Sequence, residues 1–550
     1  MATFDAIIAA AVRAEGTEHV FGLMGAATIR LVSELKHGQG VNYHAARHEG
    51  GAVAAADGYA RAGGGVGVCA VTWGPAVTNT LTALVTAKRG STPLVLIAGD
   101  SSSASLEQSP FARGAQGLDQ ALLLSALGIP VVRAHPSNAG RDVAETFDIA
   151  RRSNSPAALL LPLEHLGQAA SPQIREAPPT MPVALPPAAD AIRAAVEALR
   201  TSERPVILAG RGAATPGARD ALTRLADATG ALLATSLRAN GLFSGHRYNV
   251  GVAGGFAAPP AVSLFRQADC VAAFGASLNI FTTIGGKLFP NAKIVHCDAD
   301  PAAFHGYTRA DVAVRGDAEA VAHELLQELG PETPVTSLRE AADTMELAAD
   351  HLKQPFDDVS RKGALDPRAV CRRLDALLPA ERTVVIDGGQ ASAWPPEQMT
   401  FTDPRSFLWM IDFGSLGAGL GAATGAALAR PSRTTLLIVG DGALWMSLGD
   451  LELPARERIP LLIACLNDRA YQSELQHMAE WGLPLDDTAI FDAPDLEPIA
   501  RAMGCDAETI TELEQIDALA SRARALSRPL LLDCRITQEV LHSPVRAHVV

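Results

Sequence analysis

The chain has 550 residues and carries 46 Lys and Arg against 60 Asp and Glu, a net charge of −14 that disfavours nucleic acid or an anionic membrane surface as a partner. At roughly 100–200 residues per domain this length allows three or four domains, and a hydrophobic fraction of 48% supplies sizeable cores. The seven cysteines are scattered through apolar runs without CxxC or metal-ligand spacing, as expected of buried free thiols in a reducing compartment. The first residues lack a basic stretch and no apolar run is long enough to span a bilayer, so a cytoplasmic enzyme is expected.

In chain order, residues 1–168 alternate strand-like and helix-like segments. The pattern predicts a helix over 3–15, strands over 20–22, 66–71, 93–98 and 157–161, and helices over 49–61 and 76–88. Residues 171–190 are rich in proline and read as an extended connector. A second unit carries strands over 205–209, 270–274 and 293–297. An acidic helical stretch over 337–362 then leads to a third unit, opened by a strand over 382–386 and closed by one over 529–533. The expected class is α/β, with three doubly wound parallel-sheet domains over 1–170, 187–335 and 360–545.

The most informative stretch is 434–471. Its apolar run Leu436 to Val439 ends in Gly440-Asp441-Gly442, and a helical pattern follows with Leu448, Leu451 and Leu453 on one face. A second apolar strand ends in Asn467-Asp468. A βαβ unit of this kind sets both polar groups at the carboxyl ends of adjacent strands, where open α/β sheets bind ligands. Asp441, Asp468 and a loop carbonyl form an incomplete oxygen shell of the kind Mg²⁺ completes with phosphate and water. Gly440 and Gly442 let the backbone come close, and the following helix offers N–H groups to an anion. A magnesium-bridged diphosphate is the inference. The tripeptide alone also reads as an ordinary turn; the 24 positions 443–466 and the second polar pair carry the argument.

Nearer the N-terminus, Arg47-His48-Glu49-Gly50-Gly51-Ala52 puts Glu49 in the first turn of a helix. A carboxylate there also simply complements the helix dipole, worth about 0.3–1 kcal/mol. At the next strand end stands Val71-Thr72-Trp73-Gly74-Pro75-Ala76-Val77-Thr78-Asn79. RHEGGA, the GPxxTN loop and the late GDG…ND together resemble the thiamine diphosphate-dependent enzymes of the acetolactate synthase, benzaldehyde lyase and benzoylformate decarboxylase group, over nearly the whole chain.

The resemblance implies a pyrimidine-binding, a central and a diphosphate-binding domain. It implies that Glu49 activates the pyrimidine ring and that Asp441, the Asp468 side chain and the Ala470 carbonyl hold Mg²⁺. Asp468 stands where the family has a second asparagine. The cofactor-binding set it implies is Glu49, Pro75, Asn79, Gln390, Leu416, Gly440, Gly442 and Ala443, with Leu416 as the apolar residue around which the cofactor bends. Gln116 matches a glutamine facing the reactive carbon in acetolactate synthases, and Glu474 an active-site glutamate of pyruvate decarboxylases. The family further implies an active site shared between two subunits, Glu49 from one and the GDG domain from the other, within a homotetramer.

Several family side chains are replaced. Ala391 follows Gln390 where acetolactate synthases have histidine, Met24 stands at the catalytic histidine of benzaldehyde lyase, and Leu127-Gly128-Ile129-Pro130 replaces a lysine. In the middle domain GRGAAT is not GxGxxG, and Ala276 to Phe281 lacks the charged segment that acetolactate synthases place near flavin, so FAD or another nucleotide is not the favoured reading there. The expected activity makes or breaks a C–C bond next to the carbonyl of a small 2-keto acid or 2-hydroxyketone, through a C2 ylid and an enamine. The alternatives are a 2-keto acid decarboxylase of benzoylformate decarboxylase type and a non-catalytic relative.

Overall fold

Short apolar runs ending in glycine or a polar residue make the scaffold. In the computed structural model, which describes residues 2–63, 65–109, 112, 114–171, 173–175, 186–330, 336–345 and 352–542, they form three six-stranded, wholly parallel sheets. The first sheet holds β1 (His19–Leu23), β2 (Asn42–Ala45), β3 (Gly67–Val71), β4 (Leu94–Asp100), β5 (Val131–Arg133) and β6 (Pro156–Pro162), in the order β2-β1-β3-β4-β6-β5. The second holds β7 (Pro205–Ala209), β8 (Leu232–Thr235), β9 (Asn249–Val252), β10 (Cys270–Phe274), β11 (Lys293–Asp298) and β12 (Val312–Arg315), in the order β12-β11-β10-β7-β8-β9. The third holds β13 (Arg382–Ile386), β14 (Phe407–Trp409), β15 (Thr434–Gly440), β16 (Leu462–Asn467), β17 (Asp506–Ile510) and β18 (Leu530–Arg535), in the order β14-β13-β15-β16-β18-β17.

The first and third sheets thus share one strand order. Their central strands are covered by helices on both faces, which is why Leu436 to Val439 is uniformly apolar and fully buried. Strand order reverses between β1 and β3, between β7 and β10, and between β13 and β15. In such sheets the loops beyond these points frame a crevice. All seven cysteines are buried and unpaired. Among the described residues no helix is long and apolar enough to cross a membrane.

The first and third domains meet through two helices stripped of side chains. Helix Glu49–Gly63 lies on helix Gly419–Ala429 so closely that a Cβ on Gly58 would stand 2.1 Å from the Ala422 carbonyl oxygen and one on Gly425 only 1.9 Å from that of Ala55. Only glycine fits at either position.

Two expected helices differ. The stretch over 337–362 is helical only across Ser337–Thr344; residues 346–351 lie outside the described residues, and 354–360 are irregular, as Pro355 removes a backbone donor and blocks a helical turn. The single helix expected after Gly442 is instead Asp441–Met446, a 3-10 turn Leu448–Leu451 and a short helix Glu452–Arg456; Gly449 and Pro454, which lie inside the last two, weaken a continuous helix there. Leu451 and Leu453 are nevertheless buried. Most of the proline-rich connector, residues 172 and 176–185, lies outside the described residues; helix Ala189–Arg200 begins at its end.

Candidate active site

The switch point of the third sheet gathers the C-terminal candidates. β15 ends at Gly440 and a helix begins at once with Asp441, so GDG is a strand end and a helix start in one. The pocket at this edge is lined by Gln390, Leu416, Gly440, Asp441, Gly442, Ala443, Asp468, Ala470 and Glu474, together with Gly388, Trp394 and Tyr471. Side chains from residues 390 to 474 converge there because β13, β15 and β16 are neighbours.

Asp441 is 2% exposed, and its Oδ2 is buried without a hydrogen-bond partner. Asp468 accepts the Ala470 N–H at 3.1 Å and stands beside Asp441. Burial, and then the charge of Asp441, pushes the Asp468 carboxyl well above the ordinary range; burial raises Asp441 too. A buried carboxylate oxygen without a partner is costly unless a cation meets it. Two carboxylates and a nearby carbonyl are a donor set of the hard oxygen type that Mg²⁺ takes. Among the described residues no group of three or more His, Cys, Asp or Glu side chains forms a metal cluster, so a cation here would complete its shell with non-protein oxygens. Asn467 turns away from this pair, its amide donating to Asp533 at 2.7 Å and its oxygen accepting the Arg469 N–H. It thereby holds the tight turn in which Arg469 takes φ +58°.

Leu416 lies against the end of β13, where a Cβ on Gly388 would stand 2.3 Å from its Cδ2. Asp387 fixes this contact. Wholly enclosed, it accepts N–H groups from Gly388 at 2.7 Å, Gly417 at 3.1 Å and Gly419 at 2.8 Å, which ties the two loops together. Gln390 has both amide ends engaged: its Nε2 donates to Gln476 at 2.9 Å and its Oε1 accepts the His542 N–H at 3.3 Å. His542 is held in turn by Glu397 at 2.8 Å. Asp387, Gln476 and His542 had no role from sequence reasoning; the one available signal was an acid directly before two glycines at a strand end.

A second cluster forms at the carboxyl edge of the first sheet. Asn79 Nδ2 donates to Glu49 Oε2 at 2.9 Å. Helix Pro75–Arg89 starts from Gly74 at φ +64°, where a Cβ would strike the Gln116 backbone at 2.7 Å. Glu49, Pro75, Asn79 and Gln116 therefore occupy one neighbourhood. Gln120 organises it: fully buried, it accepts the Gly74 N–H at 2.5 Å and donates to the Gly99 carbonyl at 2.8 Å and to Asp100 at 3.1 Å. Burial pushes Asp100 up to about 6 despite Arg133 beside it. Met24 is half exposed at the end of β1 and Trp73 half-buried at the end of β3, two apolar side chains at this switch point. Where a lysine was missing, Leu127 and Gly128 accept the Lys88 ammonium at 2.7 Å each, closing the end of helix Gln120–Ala126.

Within one chain these clusters do not merge: among the described residues none before Pro367 lines the Asp441 pocket. Glu474 stands exposed at the pocket rim, while His477 stacks on Trp481 with ring centroids 5.5 Å apart and does not line the pocket. At the second sheet's switch point Gly210 packs on Gly275, where a Cβ would lie 2.2 Å from the Gly275 carbonyl oxygen.

Comparison with known proteins finds a match for each of the three domains. Residues 2–123 match the thiamine pyrophosphate enzyme N-terminal TPP binding domain, 192–325 the central domain and 387–534 the C-terminal TPP binding domain of the same enzymes. The acetolactate synthase isozyme 2 large subunit of Escherichia coli is 30% identical over 540 residues, covering 96% of this chain and 94% of its own. The acetolactate synthase of Mycobacterium bovis is 30% identical over 94% of this chain and 85% of its own length. A probable 2-ketoarginine decarboxylase of Pseudomonas aeruginosa is 29% identical over 91% and 88%. With its three matched domains and these full-length relatives, the chain belongs to the thiamine diphosphate-dependent enzymes, in the superfamily that includes the acetolactate synthases.

Proposed function

We propose that the protein is a Mg²⁺-dependent carboligase or lyase of acetolactate synthase-like type, acting on small 2-keto acids or 2-hydroxyketones. The observation that carries this reading is the partnerless Asp441 Oδ2, buried beside Asp468 in a pocket that also holds Leu416 and the start of a helix. Asp441, Asp468 and the Ala470 carbonyl would hold the metal. Gly440, Gly442, Ala443 and Gln390 would take the diphosphate, with the helix N-terminus favouring its charge. When bound, thiamine diphosphate supplies a nucleophilic carbon and an electron sink at its thiazolium ring. The chain's own groups would orient and protonate: Glu49, steered by Asn79, would hold a hydrogen bond to the pyrimidine ring, Gln116 would face the substrate carbonyl, and Glu474 would pass protons at the rim.

In the assembly we infer, the Glu49 cluster of one copy closes over the Asp441 pocket of another, in a cytoplasmic homotetramer. The separation of the two clusters within one chain supports this. Ligation is favoured by the full-length likeness to acetolactate synthases; a simple 2-keto acid decarboxylase is the second reading, supported by the ketoarginine decarboxylase relative. Incubation with a 2-keto acid, Mg²⁺ and thiamine diphosphate, with and without an aldehyde acceptor, separates them. A chiral 2-hydroxyketone is expected. Free aldehyde in both incubations would make the protein a decarboxylase, and turnover unaffected by removal of divalent metal would overturn the metal assignment.

A further inference from the structure

Three domains meet at one carboxylate. Asp412 follows β14 and precedes Phe413-Gly414-Ser415-Leu416, the loop whose leucine rests on Gly388. Its side chain is completely buried and receives two guanidiniums. Arg61, from helix Glu49–Gly63 of the first domain, donates to it at 2.7 Å. Arg238 pairs with it from the 3-10 turn Leu237–Ala239 of the second domain. Arg61 is itself locked by Asp57 one helical turn earlier, through bonds of 2.7 and 2.9 Å, and by the Trp409 carbonyl at 3.0 Å.

The rest of the loop is sewn to the same surface. Arg89 stands over the Phe413 ring at 5.6 Å, and the Thr86 and Ser415 hydroxyls are 3.0 Å apart. Thus residues 412, 413 and 415 are each tied to the first domain, and Leu416 comes next. Its other side is tied within its own domain, by the Asp387 bonds to Gly417 and Gly419.

The charges at this junction do not balance. Among the described residues the carboxylates facing Arg61, Arg211 and Arg238 are Asp57 and Asp412. Burial, and then the neighbouring Arg61, pulls Arg238 down to about 9 and Arg211 to about 10. A crowded, partly desolvated set of like charges is a poor device for stability, because its desolvation offsets its Coulomb gain. What it does supply is a defined geometry, since Asp412 can satisfy both guanidiniums only if the three domains keep their register.

We propose that Arg61, Asp412 and Arg238 form a clamp that positions Leu416, so that the docking of three domains sets the shape in which the cofactor is held. The proposal rests on the reading of Leu416 as the residue around which thiamine diphosphate bends; Arg61, Arg238 and Asp412 are positioning residues, none of them lining the pocket.

Arg238 is a third exposed, so Arg238→Met tests the clamp with little risk to folding, and Arg238→Lys serves as the conservative variant. In cofactor-free protein, amide hydrogen exchange over residues 413–419 should rise about tenfold in the methionine variant and much less in the lysine variant. Calorimetric affinity for thiamine diphosphate with Mg²⁺ should change less than about threefold, while C2 proton exchange of the bound cofactor slows by about 10²-fold, as a misplaced positioning group would cause. Leu416→Ala should slow that exchange comparably, and adding Arg238→Met to it should change little, because coupled sites are non-additive. Full additivity, or unchanged 413–419 amides, would overturn the clamp. Wild-type protein that binds no thiamine diphosphate would refute the cofactor reading alone, and loosened amides in Arg238→Met would then still uphold the clamp.

Discussion

The Asn79 amide donates to Glu49 Oε2 at 2.9 Å, joining the starts of two helices at the edge of the first sheet. This single neutral donor fixes the orientation of the carboxylate. Glu49 is only 7% exposed, which shields such a hydrogen bond from water.

Glu49→Gln preserves the shape of this pair and removes the charge. The variant should melt with the wild type and slow C2 proton exchange of bound thiamine diphosphate by about 10²–10⁴-fold, the span of a lost acid–base group. Exchange at the wild-type rate would take Glu49 out of its role.

Asp441→Ala should abolish the Mg²⁺-dependent part of thiamine diphosphate affinity while leaving the unliganded protein at least as stable, since it separates two buried carboxyls that repel each other. Titration calorimetry with and without Mg²⁺ reads this directly. A variant whose cofactor affinity still rises on adding Mg²⁺ would count against this ligand.

Gly58→Ala and Gly425→Ala each force a Cβ into backbone of the facing helix, at 2.1 and 1.9 Å. The helices must separate, and overpacking of this kind destabilises by about 1–3 kcal/mol. Gly449→Ala, with nothing within 4 Å of its Cβ, is the control and should be neutral. Thermal denaturation distinguishes them; equal midpoints for all three would mean the helix contact yields freely.

Asp450 gives the protein a pH dependence outside the metal pair. Its carboxyl abuts Gly51, and burial pushes it from the ordinary 3.8 up to about 7. Between these values the folded chain keeps a proton that the unfolded chain releases, so this group's contribution is present below 3.8 and is lost as pH rises to about 7. Asp450→Asn should therefore raise the melting midpoint by a few degrees at pH 8 and hardly at all in acid. A constant difference between the two proteins across pH would exclude Asp450 as the source.

Much of this was legible in the linear chain. Strands such as Leu436 to Val439 could be read because a parallel strand covered on both faces carries no polar alternation, and the polar residues after such strands had to fall on one edge. The helix expected over 337–362 was misjudged because its polar pattern outweighed Pro355, whose missing donor ends helical order. Gln120, Asp387 and Asp412 escaped notice for a different reason. Their partners are distant: Gln120 meets Gly74 across 46 positions, Asp387 meets Gly419 across 32, and Asp412 meets Arg61 across 351.

By itself, the order of residues determined the sheet class, the sequence of three α/β units and the carboxylates at strand ends, because local burial and strand-end chemistry are written in short runs; what each unit does came from the resemblance of its motifs to a known family. The tertiary structure alone decided what holds those groups still: which glycines touch across domains, which amide meets the Gly74 turn, and which arginines converge on Asp412. Those choices depend on how three sheets dock, and docking is set by complementary surfaces assembled from residues hundreds of positions apart.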